Sequence, residues 1–213
     1  MHDGRSGLRS LAVALAAVVL IGIGAVSLFT PVLGPARVGP MRGLSAQSAG
    51  VGMGPMTFGM MREVRAMADV ESELEYMRRM IPHHQEAVDS ARTLRERTQR
   101  EEMRTFAEEI IATQTREIEQ MESWLAAWYP EQEADADYQP MMRDYEDLSG
   151  DELDLAFLED MIPHHMAAVM MSQQLLAQVR VEHSELETLA ASIRDTQTQE
   201  IRQMSLWLDE WFN

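Results

Sequence analysis

Residues 78–88 read RRMIPHHQEAV, and residues 159–169 read EDMIPHHMAAV, an offset of 81. Four of the chain's six histidines lie in these two pairs, each directly behind a proline. A second duplication follows each one. TQTREIEQMESWL at residues 113–125 returns as TQTQEIRQMSLWL at residues 196–208, now offset by 83. The two extra residues therefore fall between the motifs, in a turn. Each repeat is one helical hairpin, a histidine helix followed by a glutamine-glutamate helix.

Helical periodicity supports this division. Steps of three and four through the second helix pass Ala107, Ile110, Gln114, Glu117, Met121, Trp124 and Trp128. The later copy passes Ala190, Ile193, Gln197, Glu200, Met204, Trp207 and Trp211. The histidine helices give Tyr76, Met80, His83, Ala87 and Leu94 against Phe157, Met161, His164, Ala168 and Leu175. Such stripes are the inward seams of a bundle. The expectation is an all-α fold, a four-helix bundle running up-down-up-down, with helices about 40 Å long at about 1.5 Å per residue.

Boundary signals place the helix starts. Ser149 with Glu152 makes a capping box, so the third helix should begin near Gly150. Thr98 with Glu101, and Ser184 with Glu187, are the corresponding caps for the second and fourth. The acidic stretch 130–149 links the hairpins.

Residues 11–29, LAVALAAVVLIGIGAVSLF, carry no charge and follow Arg5 and Arg9. That is long enough to cross a bilayer, with the chain beyond it outside the cytoplasm. The expected organisation is a signal or membrane anchor over 1–30, a flexible Gly/Pro/Met-rich linker over 31–66, and a bundle over 67–213, with repeats 67–129 and 149–213. Small residues suited to signal cleavage lack a partner three positions earlier, so an uncleaved anchor is expected; a cleaved segment would leave a secreted or periplasmic domain.

Composition removes several chemistries. There is no cysteine, so disulfides, thiolate metal sites and cysteine nucleophiles are excluded, and any soft ligand must come from the 18 methionines. From residue 66 onward, 12 arginines stand against 33 acidic residues, a net charge of −21. Nucleic acid is no partner for that surface. No Ser-His-Asp arrangement, phosphate loop or carboxylate pair names a reaction.

Four polar groups interrupt each apolar seam: two histidines, a glutamine and a glutamate. Folding the chain about turns near Thr98 and Val181 brings Met80 level with Glu117 and His83 level with Gln114, and likewise Met161 with Glu200 and His164 with Gln197. A buried ionised glutamate is costly unless paired or bound to a metal. The layer therefore invites a cation held by Met80, His83, His84, Glu117, Met161, His164, His165 and Glu200, with Gln114 and Gln197 behind them. Imidazole and thioether suit copper in either oxidation state, with zinc or iron as alternatives. Carboxylates either bind directly or fix the imidazole tautomers. The competing account is a hydrogen-bond layer that sets the bundle's register. Adjacent histidines differ by about 100° around a helix, so one of each pair faces inward less directly. If imidazole binds the ion, affinity should fall as pH drops through about 6.5. Pro82 and Pro163 either kink their helices beside the histidines or each start a new helix.

The doubled pattern Met-Ile-Pro-His-His-x-x-Ala-Val, with Gln-x-x-Glu-Ile-x-x-Met-x-x-Trp behind it, resembles the domain of unknown function 305 (DUF305) family over residues 69–211. That resemblance implies a ferritin-like fold and a copper-handling role, since the family includes periplasmic copper-binding proteins of the CopM type. It also implies a metal role for Met171, the methionine seven places after His164, whose place in the first repeat is taken by Ser90. The di-iron signature Glu-x-x-His is absent, because Met80 and Met161 stand three places before the histidines.

Overall fold

The structure is a computed structural model that describes residues 69–132 and 138–213. The expected anchor and linker lie outside the described residues. Among the described residues there is no strand, and no helix is long and apolar enough to cross a membrane.

Four helices make up the fold: α1 Glu73–Arg97, α2 Glu101–Trp128, α3 Gly150–Gln178 and α4 Ser184–Phe212. Three residues separate α1 from α2 and five separate α3 from α4. Those two additional residues are the difference between the sequence offsets of 81 and 83. Pro82 and Pro163 lie inside α1 and α3, so neither proline starts a helix.

The ends are capped differently from the sequence signals. Ser72 caps α1, its Oγ accepting from the Glu75 amide at 3.1 Å. Ser149 is the N-cap of α3 but makes no side-chain capping bond. The chain enters that helix through Gly150 at φ +56°, a left-handed conformation that glycine adopts without Cβ strain. Thr98 Oγ1 accepts from the Arg100 amide at 3.1 Å, within the turn rather than in the helix. Ser184 is itself the first residue of α4, and its N-cap is His183.

α1 pairs with α2, α3 pairs with α4, and α1 crosses α3. The directions correct the up-down-up-down expectation. Tyr76, early in α1, meets Ser172, late in α3, through a hydroxyl contact of 2.9 Å. At the opposite end, Arg100 after α1 pairs with Asp151 of the first turn of α3 at 2.9 Å. α1 and α3 therefore run antiparallel. The same holds for α2 and α4: Phe106 meets Trp207 edge to face at 5.3 Å, and Trp128 stacks on His183 at 3.7 Å. The order is up-down-down-up. The link of 21 residues from Tyr129 to Ser149 makes this feasible, because it can span about 70 Å at about 3.3 Å per residue, well beyond one helix length.

The core has two halves. One contains Tyr76, Met77, Met80, Met121, Met171 and Leu175; the other contains Leu94, Met103, Phe106, Phe157, Met161 and Met204. Each half draws the start of one histidine helix against the end of the other, as antiparallel crossing requires. The polar layer lies where the halves meet.

Candidate metal centre

Both histidine pairs are buried, at 0 or 1% exposure, and they meet across the α1–α3 crossing. The rings of His83 and His164 stack with centroids 3.7 Å apart and planes 29° from parallel. Each outer histidine is held by its own hairpin. His84 Nε2 lies 2.9 Å from Glu117 Oε2, and His165 Nε2 lies 2.7 Å from Glu200 Oε2. Glu117 thus meets His84 one turn beyond Met80, the residue that folding about Thr98 had placed beside it. His83 Nε2 lies 3.1 Å from the backbone carbonyl of His164, and a carbonyl only accepts, so that nitrogen carries the proton.

These contacts decide the tautomers of His83, His84 and His165. A carboxylate or carbonyl acceptor at Nε2 draws the hydrogen to Nε2 and leaves Nδ1 with a lone pair. Nδ1 of His83, His84, His164 and His165 is in every case buried and without a partner. Burial holds His83 well below the ordinary imidazole range, and the neighbouring imidazoles push in the same direction. Burial takes His164 down to about 4, against an opposing pull from the Glu86 carboxylate. Both rings are neutral at neutral pH, as a metal ligand must be.

Gln114 and Gln197 are buried as well, at 2 and 3% exposure. Both amide atoms of Gln114 and the oxygen of Gln197 have no hydrogen-bond partner. A completed register-setting network would satisfy such atoms, since each buried orphan costs about 1–3 kcal/mol. The thioether candidates Met80, Met161 and Met171 are 0, 0 and 1% exposed. Antiparallel crossing separates them in a way the linear repeats conceal. Met171 of the second repeat shares its core half with Met80 of the first, and Met161 lies in the other half.

Among the described residues, no three His, Asp or Glu side chains are gathered closely enough to hold an ion between them. The donor set nonetheless fits a soft or borderline cation: neutral imidazole nitrogens with fixed tautomers, carboxylates behind them, and thioethers on both sides.

Glu86 is the residue that sequence reasoning missed. Its carboxylate reaches from α1 across to α3, with Oε2 3.2 Å from His164 Nε2. It also ties down the link: Tyr138 donates to Oε2 at 2.5 Å, and the amides of Met141 and Met142 donate to Oε1 at 2.8 Å. Burial alone would raise this carboxyl, but the nearby His164 ring and the bonds from Tyr138 and the Met142 amide outweigh it and hold the group below the usual range. The available signal was a break in symmetry, because residue 167, the repeat position of Glu86, is alanine.

A second polar cluster closes one end of the bundle. Glu73, 3% exposed, accepts from the Glu182 and His183 amides at 2.7 and 2.9 Å and from Tyr129 at 3.2 Å, and contacts His183 Nδ1 at 2.8 Å. At the other end, Arg100 lies over the Trp211 ring at 4.6 Å and pairs with buried Asp154 at 3.3 Å. These clusters lock the helix ends and lie far along the helices from the imidazole layer.

Comparison with known proteins agrees with the four-helix fold. CopM in an Ag-bound form is 30% identical, with 68% of this chain and all of that chain covered, at a TM-score of 0.60. CopM in the Cu(I)-bound form is 32% identical, covering 66% of this chain and 97% of that one, at 0.59. A DUF305 fragment from Deinococcus radiodurans is 31% identical over 65% of this chain and 95% of its own length, at 0.57. No functionally curated protein matches. The profile of the family described as Domain of unknown function (DUF305) matches residues 73–208, well over half of the sequence, and the chain belongs to that family.

Proposed function

We propose that this protein binds copper outside the cytoplasm, sequestering the ion or handing it on, through the buried imidazole layer. The observation that carries the reading is the set of buried Nδ1 lone pairs without a partner on His83, His84 and His165, whose Nε2 faces a carboxylate or carbonyl, together with His164, whose two ring nitrogens are both buried and without a hydrogen bond. Evolution of a purely structural core would not leave so many acceptors unmet. Met80, Met161 and Met171 supply thioethers, and Glu117 and Glu200 act through the rings they orient. Gln114 and Gln197 stand behind the ligands. Copper is the cation this donor set favours, with zinc or iron as the harder alternatives. The Cu(I)-bound, Cu(II)-bound and Ag-bound forms of CopM, at 30 to 32% identity, support the same ion class.

The uncharged stretch at residues 11–29 supports export, with the domain of residues 67–213 tethered to the membrane by a linker or released if the segment is cleaved. The membrane and the metal ion are the partners of this reading. A redox enzyme is the second reading, favoured by the His-carboxylate pairs of the layer and by a cavity of about 550 Å³ that Glu200 lines together with Phe106, Gln203 and Trp207. Thermal unfolding of the full-length chain with and without Cu(I) and Cu(II) tests the proposal. An ion that binds the native state raises Tm by an amount that grows with the logarithm of its free concentration above Kd. A Tm that ignores both ions would overturn it.

A further inference from the structure

His164 differs from the other three imidazoles. His83, His84 and His165 each commit Nε2 to an aligned acceptor, whereas both ring nitrogens of His164 are buried and without an aligned hydrogen bond. Its Nε2 faces Glu86 Oε2 at 3.2 Å. That separation suits two donors of one ion, because bonds of about 2.0–2.2 Å to nitrogen and oxygen at roughly 100° place the donors about 3.2 Å apart. Three donors already aim the carboxylate. The Met141 and Met142 amides occupy Oε1, so Oε2 is turned toward His164 and Tyr138.

The repeats also differ in chemistry at this point. Along one face of α1, the first repeat carries Glu86 and, one turn later, buried Ser90. At the same positions of α3 the second repeat carries Ala167 and Met171, both buried. One face offers oxygen and the other thioether. Oxygen and imidazole suit a borderline divalent ion, whereas thioether selects a soft monovalent one.

We infer that Glu86 and His164 Nε2 form a nitrogen-oxygen site for a borderline divalent cation, distinct from the methionine donors that take the soft monovalent ion. The inference rests on the imidazole layer being a cation site. Glu86 is then a specificity residue: it allows a divalent ion to compete in a core otherwise suited to a monovalent one. Tyr138 competes with that ion for Oε2.

The test titrates the full-length protein with Zn²⁺ and, separately, with Ag⁺. In Glu86→Gln, Zn²⁺ affinity should fall by at least about tenfold while Ag⁺ affinity stays within about threefold. Equal losses for both ions, or unchanged Zn²⁺ binding, would overturn the inference. Should Glu86→Gln fail to fold, Tyr138→Phe keeps the carboxylate and removes its competing donor: tighter Zn²⁺ binding with unchanged Ag⁺ binding supports the site, and unchanged or weaker Zn²⁺ binding contradicts it. A wild-type protein that binds neither ion would instead overturn the underlying reading of the layer.

Discussion

His83 and His164 stack face to face, 3.7 Å between centroids, across the crossing of α1 and α3. Two imidazolium rings at that distance would repel strongly, so the pair is built to remain neutral. Its location also ties the two sequence repeats into one layer, because each ring belongs to a different hairpin.

Neutral burial has a pH signature in the apo protein. His164 has a folded value of about 4 against an ordinary 6.5, so between those limits the unfolded chain binds more protons than the native one. Stability should therefore rise with pH across about 4 to 6.5 and level off above, with a contribution on the order of 3 kcal/mol from this ring. His83 acts in the same direction. Urea denaturation at pH 4.5 and pH 7 measures the slope, and His164→Gln should flatten it. Burial also revises the pH expected for metal release: at His164, protons compete only as pH approaches 4, rather than at 6.5.

The carboxylates behind the outer rings should govern affinity more than stability. Glu117→Gln and Glu200→Gln retain volume and an acceptor but lose the charge that polarises His84 and His165. Each should weaken Cu(I) affinity by about 10- to 100-fold, measured by competition with a chromophoric chelator. Chemical denaturation should move by less than about 1 kcal/mol, since each side chain still hydrogen-bonds its ring.

Antiparallel crossing of α1 and α3 rests on contacts such as Tyr76 with Ser172, 96 positions apart in sequence and buried. Ser172→Ala leaves the Tyr76 hydroxyl without its partner in an apolar core. The expected cost is about 1–3 kcal/mol in urea denaturation. Tyr76→Phe removes the hydroxyl together with its need for a partner, so the double variant should cost less than the two single changes added.

Glu73 gathers donors from α2, from the turn before α4 and from His183. Glu73→Ala should destabilise the bundle by about 2–4 kcal/mol, since two backbone amides and a tyrosine hydroxyl lose their acceptor. Copper affinity of the folded fraction should be unaffected, because this cluster lies at the end of the bundle.

The helices and the polar layer were legible because they depend on local spacing, which the duplicated motifs record twice. The direction of the second hairpin was not. Seam periodicity is the same for parallel and antiparallel neighbours, so only the long link from Tyr129 to Ser149 hinted that α3 starts at the far end. Glu86 escaped for a related reason: comparing the repeats retains what they share, and Glu86 acts across the repeats with no counterpart at Ala167. The capping box at Ser149 and Glu152 marked the helix start correctly, yet the bond it implies is not made, because Gly150 enters α3 at a left-handed φ.

The central claim is that imidazole nitrogens of this layer bind the ion while His83, His84 and His165 keep their Nε2 protons, donated to the carbonyl and carboxylates behind them. Long-range ¹H–¹⁵N correlation of the histidine rings, recorded on the full-length protein before and after one equivalent of Cu(I), tests it most directly. The expected result is Nε2–H tautomers for His83, His84 and His165 in the apo protein, with Nδ1 resonances of the layer shifting on addition of the ion and the Nε2 protons retained. Cu(I) bound with every ring nitrogen of the four histidines unmoved would contradict the account.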